Sequence, residues 1–200
     1  MPNFGENTVS DGRNARLGSV RLRLAGAADA EQIAVLHADS WRRHYRGAYA
    51  DSFLDGDVVA DRRTVWSARL AAPTDSQTLL AEYGDRLAGF IHVVFDDDPR
   101  WGSLVDNLHV VHERRATGIG TRLLAGAARA VGQRAAGNAM FLWVLRQNAA
   151  AQRFYRARGA TCVEAATVSP PGGDPARLNG TPGKLRMVWP DVTRPPLDDR

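Results

Sequence analysis

One short segment, RRATGIG at residues 114–120, constrains this chain more than any other stretch of its sequence. It follows a segment that alternates like a β-strand, SLVDNLHVV at 103–111, and leads into a helix-like segment whose apolar residues recur from Ile119 with a 3.6-residue period. Gly118 and Gly120 permit a tight turn and a close approach of the main chain to a ligand. Unpaired N–H groups and the positive end of the helix dipole then face that ligand. The segment therefore predicts an anion site, most naturally for phosphate.

Elsewhere the sequence predicts an α/β fold with a mixed, mostly antiparallel sheet flanked by helices. Alternating or short apolar runs predict the strands, which are residues 20–24, 77–83, 86–95, 103–111, 140–145, 161–168 and 184–190. Helical periodicity predicts the helices, which are residues 30–43, 57–71, 118–136 and 149–158. Asp29 and Asn148 are predicted to cap helices. The pair Gly84-Asp85 is typical of a hairpin turn, and residues 96–102 are predicted to form a loop.

No repeat and no internal boundary divides the chain. We expect residues 1–18, rich in Asn, Gly, Ser and charge, to be a disordered tail. Residues 19–190 are expected to form one domain, and residues 191–200 a loose C-terminal tail. Residues 169–183 predict a long Pro- and Gly-rich loop, of a length that in compact domains is often functional or mobile.

Composition excludes several classes of function. The formal charge is only +4, lysine occurs once among 26 lysine and arginine residues, and no basic run of five or six residues occurs, so no nucleic-acid partner is expected. Cys162 is the single cysteine, which excludes an internal disulfide and a Cys-based zinc cluster, and no metal is expected. Because no run of eighteen apolar residues and no leader-like segment occurs, we expect a cytoplasmic protein without membrane contact.

Three phosphate-binding patterns compete for the glycine segment. A Walker loop requires Gly-Lys-Ser/Thr, but Thr121 directly follows Gly120; a dinucleotide fingerprint requires a third glycine where the chain has Leu123. The pattern R-x-x-G-x-G at 115–120 does fit. About thirty residues later stands N-A-A-A-Q-R-F-Y at 148–155. At this spacing, the two motifs resemble those of the GNAT superfamily of N-acetyltransferases, and the resemblance extends over residues 20–190.

The resemblance implies the GNAT acyl-CoA N-acyltransferase fold, acetyl-CoA as acyl donor, and acetyl transfer to a primary amine of a small molecule or peptide. Many relatives dimerise, which makes a homodimer the expectation here. The resemblance assigns contacts with the donor to Leu108, His109, Val110, Arg115, Ala116, Thr117, Gly118, Ile119, Gly120, Thr121, Asn148 and Phe154. The chain departs from the family at His112, which stands where a proline usually precedes the loop. A CoA-binding module without turnover is the alternative.

The resemblance also gives Tyr155 the role of general acid toward the leaving CoA thiolate; the alternative is a buried tyrosine with one structural hydrogen bond. Many relatives carry a glutamate as general base on the strand before either motif, and neither strand has one here. Asp106 is the preferred base, because a carboxylate among apolar strand residues requires a reason; an exposed strand residue is the alternative. The other candidates are His109, His112, Glu113 and a chain of waters.

The acceptor pocket is expected beside the first two helices. Trp41, Tyr45 and Tyr49 recur every four residues and would share one face of a continuous helix. Trp41 and Tyr45 are therefore predicted to line a pocket for a hydrophobic or aromatic amine, or for a cation held against the rings. The alternative is that these rings only anchor the helix to the core. Asp39 and Asp51 either attract a cationic acceptor or are solvated surface carboxylates.

Overall fold

A computed structural model describes residues 20–72 and 74–194. Its seven strands are β1 (Val20–Leu24), β2 (Ser76–Tyr83), β3 (Arg86–Asp98), β4 (Gly102–Val110), β5 (Met140–Leu145), β6 (Thr161–Thr167) and β7 (Gly183–Trp189). Its five α-helices are α1 (Ala30–His44), α2 (Asp51–Leu54), α3 (Val58–Ala71), α4 (Ile119–Arg134) and α5 (Ala149–Arg156). The strands form one sheet in the order β1-β2-β3-β4-β5-β7-β6, in which only β4 and β5 are parallel. This confirms the predicted mixed, mostly antiparallel α/β fold.

The structure differs from the prediction in three local features. Helix α2 was not predicted, and β3 continues to Asp98 through part of the predicted loop. Asp29 does occupy the position before α1, but its carboxylate does not cap that helix. It accepts from the N–H of Gly26 (2.8 Å) and from the guanidinium of Arg23 (2.7 Å), because the 3-10 turn Ala27–Asp29 directs it back toward β1.

The predicted tail at residues 1–18 lies outside the described residues, as do Pro73 and residues 195–200. At the described end of the chain, Val192 is buried, and its N–H donates to the carbonyl of Asn138 (2.9 Å). No helix in the described ranges is long and apolar enough to cross a membrane.

Helices cover both faces of the sheet. On one face α4 buries Ile119, Leu123 and Leu124 against the middle strands, and Tyr155 of α5 joins the same apolar cluster. The opposite face carries α1 and α3, whose buried Ile33 and Trp66 pack against β2 and β3. The two layers therefore leave the central strands accessible only where the sheet itself opens.

The sheet opens between β4 and β5. These strands pair only at Ser103–Met140 and Leu104–Phe141, and then separate. Just beyond those pairs, Asp106 is the extra residue of a β-bulge, because Val105 and Asn107 pair with the consecutive residues Val93 and His92 of β3. A bulge bends its strand and changes which residues face each side of the sheet. The bend and the separation together create the space for a site.

The bulge explains why the sequence could not assign faces along β4. Before it, Val105 packs in the cluster beneath α4; after it, Leu108 and Val110 pack there instead. His109 consequently turns to the other face, where its Nδ1 lies 2.7 Å from the hydroxyl of Ser40 on α1. A regular strand would have kept residues of one parity on one face throughout.

Candidate active site

A cleft of about 560 Å³ occupies the gap between β4 and β5. Its walls are the two strands, the segment 114–121, α5 and the end of α1. Of the residues predicted to contact the donor or to act in catalysis, the following line it: Asp106, Leu108, His109, Val110, Arg115, Ala116, Gly118, Gly120, Thr121, Asn148, Phe154 and Tyr155. Most of the predicted site residues therefore share one cavity.

Two predicted contact residues do not line the cleft. Ile119 turns its side chain into the core and is only 2% exposed. Thr117 uses its hydroxyl to donate to the carbonyl of Arg114 (2.6 Å), which closes the turn. Both residues shape the loop, and only their main-chain groups remain for a ligand.

The loop before α4 presents backbone N–H groups to the cleft. Ala116 and Gly118 both adopt positive φ angles, +58° and +88°. The first hydrogen bond of the helix is donated by the N–H of Arg122 to the carbonyl of Gly118 (3.0 Å). Within the described part of the chain, the N–H groups of residues 116–121 donate to no protein atom. A run of unpaired N–H groups at the N-terminus of a sixteen-residue helix can hold an anion.

Gly120 permits α5 to pack against this loop. A Cβ at this position would lie 3.2 Å from Cζ of Phe154, closer than ordinary side-chain contacts. The guanidinium of Arg158 in turn stacks on Phe154, with its Cζ 4.0 Å from the centroid of the phenyl ring. Arg158 donates to Oγ1 of Thr121 (2.8 and 2.6 Å), so it adds a fixed positive charge beside the loop.

Helix α5 brings two predicted functional side chains to the cleft. Asn148 caps the helix as predicted, since its Oδ1 accepts from the N–H of Ala151 (3.1 Å). Tyr155 lies about two turns further on and is 9% exposed. Burial raises the pKa of its phenol above the ordinary value, which keeps the hydroxyl protonated. That hydroxyl makes no hydrogen bond to the described residues, so the alternative of one structural hydrogen bond is not what the geometry shows.

The four candidate bases lie in different surroundings. Asp106 lines the cleft at the bulge, where it accepts from Nη1 of Arg69 (2.7 Å) and from the amide of Asn107 (2.6 Å). Burial lowers the pKa of His109 to about 3, so this side chain is a very weak base. The exposed His112 and Glu113 lie on the 3-10 turn before the loop and line neither the cleft nor its neighbouring pocket.

A second cavity of about 370 Å³ adjoins the cleft, and we call it the side pocket. The two cavities share Tyr45, Asp106, Asn107, Trp143, Val144 and Leu145. The remaining wall of the side pocket consists of His37, Trp41, Tyr49, Arg62, Val65, Arg69, Val168, Ser169, Pro171, Gly172 and Lys184. The long loop at 169–183 thus contributes to its wall.

Trp41 and Tyr45 lie where the sequence predicted them, although the helix does not continue. Helix α1 ends at His44, and Gly47 turns the chain with a φ of +82°. The rings of Trp41, Tyr45 and Tyr49 nevertheless cluster, with centroids 4.9 to 5.6 Å apart. The cluster both packs the core and lines the side pocket, so the two readings of these rings are compatible.

The prediction that Asp39 and Asp51 attract a cationic acceptor does not fit this geometry. Asp39 pairs with Arg43 (2.8 Å) and Asp51 pairs with Arg46 (2.8 Å), both at the surface. Neither carboxylate lines the cleft or the side pocket. They are the surface carboxylates of the alternative interpretation.

Two buried histidines support the wall between α1 and β4. The indole of Trp66 donates to Nδ1 of His37 (3.0 Å), and the rings of His37 and His109 lie 4.6 Å apart. Burial, together with the neighbouring His109 and Arg62, lowers the pKa of His37 well below its ordinary value. The wall is therefore built from neutral imidazoles.

Several lining residues were not predicted from the sequence. Arg158 follows the second motif and carries no signal of its own. Arg62 and Arg69 lie on α3, far from either motif in the chain. Lys184 did carry a signal, because it is the one lysine among 26 lysine and arginine residues. Its place in the side pocket could not be read from that count.

Comparison with known proteins agrees with this geometry. The model of the acetyltransferase (GNAT) family matches residues 35–160, more than half of the chain. No curated protein sequence matches. Solved structures with the same fold include the PaiA N-acetyltransferase of Thermoplasma acidophilum in complex with coenzyme A, which has a TM-score of 0.63 and 19% identity and covers 86% of this chain and 99% of that one.

Two further neighbours share the fold. Arabidopsis thaliana NAA60 in complex with a bisubstrate analogue has a TM-score of 0.61 and 17% identity, over 85% of this chain and 97% of that one. The protein yncA of Salmonella typhimurium, with its cofactor acetyl-CoA, has a TM-score of 0.60 and 18% identity, over 90% of this chain and 95% of that one. The match to the family model, the fold and the two motifs lead to one conclusion: this chain is an acyltransferase that belongs to the acetyltransferase (GNAT) family.

Proposed function

We propose that this acyltransferase moves an acetyl group from acetyl-CoA to a primary amine of a small molecule or peptide. The observation that carries the proposal is the row of free N–H groups at residues 116–121, which shares one cleft with the unpartnered hydroxyl of Tyr155. The first can hold a pyrophosphate and the second can protonate a leaving thiolate. Two structural neighbours that hold coenzyme A or acetyl-CoA support this donor.

In this proposal the donor lies along the gap between β4 and β5. Its pyrophosphate accepts from the main chain of the 115–120 loop, beside the positive charge of Arg158. The pantetheine arm runs past Leu108–Val110 like an added strand and reaches Asn148. The thioester then lies near the bulge at Asp106, where the cleft meets the side pocket.

Transfer proceeds by direct attack. The amine nitrogen bonds to the thioester carbonyl carbon, a tetrahedral oxyanion forms, and the C–S bond breaks. Tyr155 gives its proton to the leaving sulfur; burial, which raises its pKa, keeps that proton available at neutral pH. The nitrogen loses its proton to Asp106, directly or through water. Because an alkylamine with a pKa near 10.4 is only about 0.04% neutral at pH 7, a base at this place is valuable.

The test is a calorimetric titration with acetyl-CoA, followed by thiol release with a panel of amines. We expect saturable binding near one acetyl-CoA per chain. Tyr155→Phe is expected to keep that affinity and to lower turnover about 100-fold, because it removes only the acid. No binding at millimolar acetyl-CoA would overturn the proposal. Binding without thiol release from any amine would instead identify a CoA-binding module.

A further inference from the structure

The charges that line the side pocket are unbalanced. Three cations, Arg62, Arg69 and Lys184, face one carboxylate, that of Asp106, among the described residues of its wall. That carboxylate is already engaged by Arg69 and by the amide of Asn107. A positively charged acceptor group would therefore meet net repulsion in this pocket, whereas an anion would meet attraction.

Among the described residues, Lys184 is the cation of this wall that forms no ion pair with a carboxylate. Two of the cations have one, since Arg62 is paired with Asp61 and Arg69 with Asp106. The ammonium of Lys184 makes no hydrogen bond or ion pair with any described residue, and it lies 4.4 Å from the ring centroid of Trp143. The neighbouring carboxylates of Asp98 and Glu164 form their ion pairs with Arg186 instead (3.0 and 3.2 Å).

The surroundings of Lys184 make its charge costly without a ligand. Burial lowers the pKa of this ammonium and the nearby Arg186 lowers it further, against a smaller opposing effect of Glu164. An anion within about 4–6 Å would oppose both effects by favouring the protonated form. In a chain that otherwise uses arginine throughout, a lone lysine at this place is well suited to a point contact with an anionic oxygen.

The positions of the polar groups give the acceptor an orientation. Asp106 and Asn107 stand where the side pocket meets the cleft, which is where the reacting amine must lie. Lys184 belongs to the side pocket alone, and so do the rings of Trp41 and Tyr49. An acceptor that spans the pocket thus places its amine at Asp106, its apolar body along the rings and its far end at Lys184.

Resting on the proposed function, we infer that the acceptor is a small amine that also carries a carboxylate, and that Lys184 holds this carboxylate. The subsite selects by charge, whereas the rings of Trp41 and Tyr49 add only apolar contact. Amines without an anion are accordingly poorer acceptors than their carboxylate-bearing counterparts.

Three probes with one carbon skeleton test the subsite without requiring turnover. They are 3-phenylpropanoate, 3-phenylpropan-1-ol and 3-phenylpropylamine, titrated by NMR into protein saturated with CoA. We expect the acid to bind about tenfold more tightly than the alcohol, which is about 1.4 kcal/mol, and the amine to bind no better than the alcohol. Equal binding of the three, or no binding of the acid, would overturn the inference.

Matched variants assign the effect to Lys184. Lys184→Met is expected to abolish the preference for the acid, and Lys184→Arg to retain most of it. Arg129→Met removes an exposed cation from α4, outside both cavities, and is expected to leave the preference unchanged. If Lys184→Met kept the full preference, the assignment would be wrong.

Turnover separates this inference from the proposed function. With acetyl-CoA as donor, 4-(aminomethyl)benzoate is expected to have about tenfold higher kcat/KM than benzylamine, which lacks only the carboxylate. If amines were acetylated without this preference, the inference would fail and the proposed function would stand. If acetyl-CoA did not bind at all, the proposed function itself would fail.

Discussion

The cleft and the side pocket adjoin, yet they are built in opposite ways. The proposed anion site of the cleft consists of main-chain N–H groups from the segment 116–121, four of whose residues line the cleft. The side pocket consists of side chains from α1, α3, β4, β5, β7 and the loop at 169–183, which meet only in the folded molecule. A site made of backbone is encoded by a contiguous motif, whereas a site made of side chains is encoded by the fold.

This difference predicts different sensitivities. Substitutions that keep the backbone conformation should spare the anion site, even when they remove a charge beside it. The side pocket should respond to single charges and to the protonation of its supporting histidines.

Gly118→Glu should cause the largest loss of affinity for acetyl-CoA. The substitution forces a non-glycine residue to a φ of +88° and places a carboxylate in an anion site. We expect the affinity for acetyl-CoA to fall about 1,000-fold, or about 4 kcal/mol, in a calorimetric titration. Arg115→Ala removes only a side chain and should cost less than about tenfold. If the two variants weakened binding equally, the site would depend on side-chain charge, and its description as a site built from the backbone would be wrong.

Gly137→Glu is the matched control for that experiment. Gly137 lies beyond the end of α4, and a Cβ there would meet no atom within 4 Å. The same change of charge should therefore leave both the affinity for acetyl-CoA and the thermal midpoint close to those of the unchanged protein. A loss of affinity in this variant would show that net charge, rather than the loop, decides binding.

Acid should destabilise the fold around the side pocket. Burial lowers the pKa of His37 well below its ordinary value, that of His92 to about 4 and that of His109 to about 3. Below pH 6.5 the unfolded chain binds protons that the folded chain does not, so stability present above pH 6.5 is lost as the pH falls toward 4. From pH 6 to 5 the three histidines together should remove about 3.5 kcal/mol from the free energy of unfolding.

Denaturant titrations between pH 7 and 4.5 measure this slope. His92→Gln should reduce it by about a third, because one of the three buried imidazoles is gone. The exposed His112 gives the matched control, and His112→Gln should leave the slope unaltered. An unchanged slope in the His92 variant would remove the buried histidines as its cause.

Asp106→Asn tests whether the carboxylate accepts a proton or only anchors Arg69. The amide cannot serve as a base, so we expect kcat/KM to fall about 30-fold for an alkylamine. Arg69→Gln keeps the carboxylate and removes its partner, and it should lower kcat/KM less than about fivefold. Comparable losses in the two variants would favour the anchoring role, and a pH–rate profile of each would show whether a titrating group has disappeared.

Ala116→Gly should have the smallest effect, and a favourable one. Alanine at a φ of +58° is strained by about 1 kcal/mol relative to glycine, so the variant should unfold at a higher denaturant concentration. Ala157→Gly is the matched control, since Ala157 has a helical φ of −63° and should lose about 0.5–1 kcal/mol. If both variants lost stability, the loop strain would be absent.

Turns and helix caps were predictable from the sequence wherever their conformation depends only on residues that are neighbours in the chain. The hairpin at Gly84-Asp85, the cap by Asn148 and the loop before α4 all depend on nearby backbone conformations that glycine or asparagine favours. Asp29 was assigned to a cap because short polar residues favour that position. Its real partner, Arg23, becomes available only when the chain turns back toward β1.

The positions of site residues were harder to predict from the sequence where they depend on contacts between elements that are distant in the chain. The bulge at Asp106 depends on the pairing of β4 with β3, which no period in the sequence reveals. Arg69 reaches Asp106 from 37 residues away, and Lys184 meets Trp143 only because β7 pairs with β5. Residue type identified Asp106 as a candidate base and Lys184 as the one lysine, whereas nothing in the sequence pointed to Arg69. Tertiary structure alone makes these groups neighbours.

The narrow junction between β4 and β5 has a mechanical consequence. Two antiparallel half-sheets, β1–β4 and β5–β7, share only two residue pairs, so the sheet is weakest at that seam. A long molecule bound between β4 and β5 would contact both half-sheets and restrain their motion relative to each other. We expect the halves to open independently in the free protein, and amide hydrogens along the facing edges of β4 and β5 to exchange more slowly once the seam is filled.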